Sequence, residues 1–117
     1  MPPTTSFDFG DIVLVEFFFT DRSGSKRRPA VVASSSRYNQ RRPDVILMAI
    51  TSKLRSPLLF GETLITSWQK AGLLVPGAIK PILLTIDKTL VIKHLGRIEP
   101  ADRTSLETTL RTILSSP

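Results

Sequence analysis

Apolar residues arrive in short, dense blocks separated by polar stretches. Asp11 to Phe19 is rich in Val, Ile, Leu and Phe and predicts a strand. Its apolar run is continuous, so both faces are expected to be covered. A second strand spans Ala30 to Ser34, with Pro29 at its first position, where a missing N–H is tolerated. A third runs from Asp44 to Ile50. The intervening segments, Thr20 to Arg28 with Gly24 and Ser35 to Pro43, are polar and read as loops. After Ser56-Pro57 the blocks weaken. Leu58 to Thr63 suggests a fourth strand, Trp68 to Leu73 a turn or short helix closed by Gly72, and Pro76-Gly77 a turn. Ala78 to Ile86 predicts a fifth strand, with Pro81 at an edge or a bulge. Asp87 to His94 reads as a short helix stopped by Gly96.

The period then changes. Leu106, Leu110, Ile113 and Leu114 recur at helical spacing, Pro100 suits a helix start, Asp102 falls in the first turn and Arg111 near the end. The apolar stripe should pack on the sheet. With Met1 to Phe9 as a loose arm, the whole chain 1–117 is expected to form one α+β, mainly β domain. It would be a small twisted antiparallel sheet or partial barrel with a C-terminal helix.

Composition narrows the chemistry. The 117 residues suffice for one packed core. With no cysteine, disulfides, thiolate chemistry and cysteine-type zinc sites are excluded. One histidine, His94, cannot build a histidine-cluster metal site or a His–His acid–base pair. No metal or other cofactor is expected, and catalysis would fall to Arg, Lys, Ser, Thr, Asp, Glu or Tyr. No block reaches the roughly 18 apolar residues of a membrane span. The first six residues lack a basic and apolar leader, so a cytoplasmic protein is the expectation.

The net charge of +6 is concentrated. Residues 1–21 carry four acids and no base, whereas residues 22–55 carry nine bases and one acid. Such a field attracts polyanions, of which nucleic acid is the commonest. A solvated basic face accounts for it equally well.

Within that segment Arg28 ends a predicted loop and Thr51 ends a predicted strand, so both would stand at a sheet rim. A guanidinium binds phosphate oxygens in a planar, bidentate way and can stabilise a pentacoordinate phosphorane. A neighbouring hydroxyl can hydrogen-bond a non-bridging oxygen or orient an RNA 2′-OH. That internal nucleophile is already tethered beside the phosphorus, so much of the entropy cost is met in advance. On the residues alone, a surface charge and a strand-end cap are the simpler explanation of the pair.

Gly10-Asp11-Ile12-Val13, Arg28-Pro29-Ala30-Val31-Val32 and Ile50-Thr51-Ser52, followed by Trp68, Ala71-Gly72-Leu73 and Leu95-Gly96-Arg97-Ile98, resemble in order and spacing the landmarks of the MazF/PemK/Kid toxins. The similarity runs from about Gly10 to Leu114. It implies an SH3-like, CcdB/PemK-like partial barrel, usually a homodimer. It also implies a toxin of a toxin–antitoxin module that cleaves single-stranded RNA without metal and is inhibited by an acidic antitoxin. Carried across, it makes Arg28 and Thr51 the catalytic pair. Ser23, Lys26 and Arg27 would form an RNA-closing loop, and Ser52 and Lys53 would extend the phosphate contact. The chain departs from the pattern by offering no acid or histidine in Gly24 to Arg27, and Lys80-Pro81-Ile82 where some members carry an acid. The general base is therefore unassigned, Asp21 being the nearest acid. Two other classes compete: a non-enzymatic, CcdB-like poison of a protein target, and an SH3-like RNA- or protein-binding module.

Other residues have simpler roles. His94 reads as a helix-end residue and Trp68 as packing beside Leu73. Arg37, Tyr38, Asn39, Arg41 and Arg42 read as either an RNA-facing loop or a plain connection. In Phe17-Phe18-Phe19 at least one ring must point away from its own core, toward a dimer partner.

Overall fold

In the computed structural model, which describes residues 6–18 and 25–115, six strands form one antiparallel sheet with a C-terminal helix. The elements are β1 (Asp11–Phe18), β2 (Ser25–Val32), α1 (Ser36–Arg41), β3 (Asp44–Thr51), β4 (Thr63–Leu64), β5 (Ala78–Asp87), a 3₁₀ turn (Lys88–Leu90), β6 (Lys93–Arg97) and α2 (Pro100–Ile113). The strand order is β4-β5-β3-β2-β1-β6. This is the expected mainly β architecture with its terminal helix.

The continuous apolar runs bury both faces of the central strands. One face gathers Ile12, Val31, Met48 and Ile50 with Leu106 of α2, and Leu110 and Ile113 pack against them. The other face gathers Val13, Val15, Ala30, Val32, Val45 and Leu47. Alternation along each strand sends successive residues to the two cores. Leu114, expected in the helix stripe, is 54% exposed, because it is the C-cap and has left helical geometry.

Several expectations need correction. The N-terminal arm is not loose through Phe9. Phe7 is buried in the second core, its carbonyl accepts from Asn39 Nδ2, and Asp8 accepts from Ser36 Oγ and Arg97. Lys26, Arg27 and Arg28 belong to β2 rather than to a loop, because they pair with Phe17, Glu16 and Val15 of β1. Ser35 to Pro43 folds into α1. Ser35 caps it through Tyr38 N, and buried Asn39 is bonded to Ser34 and Phe7. The fourth strand is shorter and later than Leu58 to Thr63. The helix expected over Asp87 to His94 is only a 3₁₀ turn, after which His94 and Gly96 join β6. Pro81 does mark a bulge: Met48 pairs with Leu83 and Ile50 with Ile79, so three residues of β5 oppose Ala49 alone. Phe19 and the side chains of Phe17 and Phe18 lie outside the described residues.

Asp44, the first residue of β3, ties α1 to the sheet by accepting from Tyr38 Oη at 2.6 Å and Arg42 at 2.9 Å. The Arg42 bond, then the Tyr38 bond, hold its carboxyl below the ordinary value of 3.8. A depressed carboxylate stabilises the fold above its unfolded pKa and loses that contribution as pH falls through the folded value. Asp44→Asn should therefore flatten the acid limb below about pH 4 in urea titrations, with little change in the m-value.

Candidate active site

The site begins at a break in the sheet. Ala33 N donates to Ile46 O at 2.9 Å, which sets the bonding parity of the β2–β3 pair. In an antiparallel ladder every second residue turns its N–H to the same neighbour. The donors toward β3 are therefore at 33, then 31, then 29, and position 29 is proline, which has none. The recorded pairing stops at Ala30 with Ala49. Pro29 thus stands in the interior of β2, not at its first position as expected, and its missing N–H ends the ladder.

Beyond that point β2 pairs only with β1, and β3 only with β5. Continuing the same register by two residues sets Arg28 opposite Thr51, across the open mouth. Both residues line both of the grooves that meet there, one of ≈ 420 Å³ and one of ≈ 310 Å³. Ile50 and Ser52 are shared as well. Arg28 is exposed and, among the described residues, in no ion pair. Thr51 is half-buried, and its Oγ1 accepts from Lys53 N at 3.1 Å, leaving its O–H proton to donate outward.

The smaller groove adds Lys53 and Lys80; the larger adds Lys93 and the loop from Gly72 to Gly77. Neither groove is lined by a carboxylate among the described residues. The mouth therefore combines one guanidinium, two hydroxyls and three flanking ammonium groups, a set matched to a phosphate chain. Among the described residues no cluster of three or more His, Asp or Glu side chains is placed to hold a metal ion.

The other expected site residues divide. Ser52 and Lys53 stand at the mouth. Lys26 and Arg27 run away from it along β2, and Arg27 takes the face opposite Arg28 by alternation; neither lines a groove. Ser23 and Asp21 lie outside the described residues. Arg37, Arg41 and Arg42 flank the start of β3, about 23 Å along the strand from Thr51. Trp68 packs against the core. His94, read as a helix end, stacks on Phe7 with ring centroids 4.9 Å apart and sits 3.3 Å from Asp11 Oδ2. Lys80 and Lys93 were missed as site residues. For Lys93 the signal was a strand parity that a helix assignment concealed.

The outer wall of the larger groove is held by backbone packing. Gly72, at φ +95°, lies against Leu95 and Gly96 of β6, and a Cβ on either glycine would overlap a carbonyl oxygen, that of Leu95 or of Ala71. Asp102, buried at 3% exposure, fixes the start of the same turn. It accepts from Thr66 N, Thr66 Oγ1 and Ser67 N at 3.0, 2.7 and 3.0 Å.

Comparison with known proteins now places the molecule. The fold matches solved toxin structures. An endoribonuclease from a Mycobacterial species, in complex with its cognate antitoxin, aligns with TM-score 0.77 and 18% identity over 97% of this chain and 98% of that one. A MazE–MazF complex from Deinococcus radiodurans aligns with TM-score 0.73 and 20% identity over 97% and 100%. MazF-mt6, a toxin of Mycobacterium tuberculosis, aligns with TM-score 0.66 and 16% identity over 86% and 93%. A search of curated protein sequences finds no match. The model of the PemK-like, MazF-like toxins of type II toxin–antitoxin systems matches residues 8–114, and the chain belongs to that family.

The glycine packing makes a direct prediction. Gly96→Ala should destabilise the fold by about 1–3 kcal/mol through overpacking, lowering the thermal midpoint by at least about 4 °C. A melt of the purified variant checks it.

Proposed function

We propose that the chain is an endoribonuclease toxin that cleaves single-stranded RNA without a metal ion and is held in check by an acidic antitoxin. The observation that carries the reading is Arg28 and Thr51 facing each other across a mouth that, among the described residues, no carboxylate lines, where β2 and β3 part.

In this reading the RNA 2′-oxygen attacks the adjacent phosphorus and the P–O5′ bond breaks. The products are a 2′,3′-cyclic phosphate and a 5′-OH. Arg28 offers two N–H donors to the equatorial oxygens, where negative charge builds up in the phosphorane. Its permanent charge makes it a poor base. Thr51 donates its hydroxyl proton to a non-bridging oxygen. Solvent at the open mouth accepts the 2′-OH proton and protonates the leaving 5′-oxygen. Ser52 and Lys53 hold the neighbouring backbone, and Lys26 and Arg27 extend the positive field along β2.

The same cationic mouth suits an acidic, flexible antitoxin segment that orders on binding. A homodimer accords with apolar side chains left in solvent away from the grooves, such as Phe60 at 82% and Leu114 at 54% exposure. No helix among the described residues is long and apolar enough to cross a membrane; a cytoplasmic location suits the proposed substrate.

Incubating the purified protein with a long single-stranded RNA in EDTA tests the reading. Discrete fragments with 5′-OH ends are expected. Arg28→Ala should slow cleavage about 10²–10³-fold, Arg28→Lys less so, and Thr51→Val about tenfold, with Thr51→Ser restoring much of the rate. Growth arrest with intact RNA would instead identify a poison of a protein target, and a gel shift without fragments a binding module.

A further inference from the structure

The larger groove contains a cation that the cleavage chemistry leaves unused. Lys93 lies on β6 opposite Leu14, while Arg28 lies on β2 opposite Val15, with β1 between them. Register puts Lys93 on the face of Leu14 and Leu95, and Arg28 on the face of Ala30. Both nonetheless border the larger groove, Lys93 from β6 and Arg28 from the edge of β2 that no longer pairs with β3. Between them the floor is apolar, built from Leu14, Pro29, Ile50, Leu73 and Leu95. Lys93 is exposed, and among the described residues it has no ion pair and no carboxylate lines the groove.

Two unneutralised cations on one apolar trough favour a ligand with the inverse pattern: anionic ends and a flat apolar middle. A nucleotide within a single strand has that pattern, with a base whose face is apolar and a phosphate on each side. The volume of ≈ 420 Å³ lies in the range of pockets that take small organic groups. A duplex would keep its bases paired and out of such a trough.

We infer that the larger groove is a nucleotide subsite, in which one unpaired base lies on the apolar floor with its scissile phosphate at Arg28 and its other phosphate at Lys93. Lys93 is then a substrate-binding residue that sets the strand's register against Arg28 and Thr51. The inference rests on the endoribonuclease reading.

The test uses a short single-stranded oligoribonucleotide that carries a cleavage site mapped with the wild-type protein. A 2′-deoxy substitution at the scissile nucleotide blocks the cut. Lys93→Met should weaken binding about tenfold. It should also reduce the slope of log K against log salt by about 0.7, the value for one phosphate contact on a single strand. Neutralising single phosphates as methylphosphonates should then locate the contact. The penalty of one substitution, next to the scissile phosphate, should vanish in the Lys93→Met background while the others persist. Arg111→Gln, an equal charge change on the far end of α2, should keep the wild-type slope, and circular dichroism should show both variants folded. Wild-type affinity and slope in Lys93→Met, or additivity with every methylphosphonate, would overturn the subsite while leaving cleavage intact. Wild-type protein that neither cuts nor binds RNA would overturn the subsite and the endoribonuclease reading together.

Discussion

The β2–β3 ladder ends where proline replaces the next N–H donor toward β3, and the rest of the site follows from that ending. A continuous ladder would have held Arg28 and Thr51 about 5 Å apart as an ordinary cross-strand pair, with no room for a ligand. Because position 29 cannot donate, beyond that point β2 remains paired with β1 alone and β3 with β5 alone. The gap becomes a mouth opening onto both faces of the sheet. A strand-end opening of this kind presents side chains from two rigid elements, which positions them better than a loop would.

The opening needs walls, and these come from contacts remote in the chain. The turn after Thr66 is pinned at one end by the buried Asp102 carboxylate and at the other by Gly72 lying on Gly96. Both anchors use backbone groups, so the wall sets at a fixed height above β6. The segment beyond it, through Leu74 and Val75, is thereby held over the larger groove. Among the described residues the grooves gather one arginine, three lysines and two hydroxyls and no carboxylate, a lining matched in charge to a polyanion. The strands carry the electrostatics, and the turn supplies the apolar surface beside it.

Legibility followed the physics of each segment. Asp44 to Ile50 and the stripe through Leu106, Leu110 and Ile113 were readable because burial repeats at the period of the element. Lys26 to Arg28 read as loop because three bases next to proline carry no strand signal. Their pairing comes from β1, whose apolar run supplies the template. Ser35 to Pro43 read as connection because the stability of its helix lies in Asn39 and Ser35 hydrogen bonds rather than in an apolar face. Lys93 and His94 were lost in the helix assigned to Asp87 to His94 because β6 is an edge strand, and Gly96 serves close packing rather than a helix stop. That error hid Lys93, whose position beside the groove depends on strand parity.

By itself the sequence determined the class of molecule. It excluded cysteine and histidine-cluster chemistry, concentrated positive charge between Arg22 and Arg55, set β1, β3, β5 and the terminal helix, and marked Arg28 and Thr51 through local motifs. All of these are properties of neighbouring residues or of composition. Tertiary structure decided which groups share a groove with Arg28: Thr51 in both, Lys53 and Lys80 in the smaller and Lys93 in the larger, and not Arg27, Arg37 or Arg41. The reason is that a strand sends adjacent side chains to opposite faces, whereas register sets residues as distant as Arg28 and Thr51 across from each other. Only the folded sheet settles both.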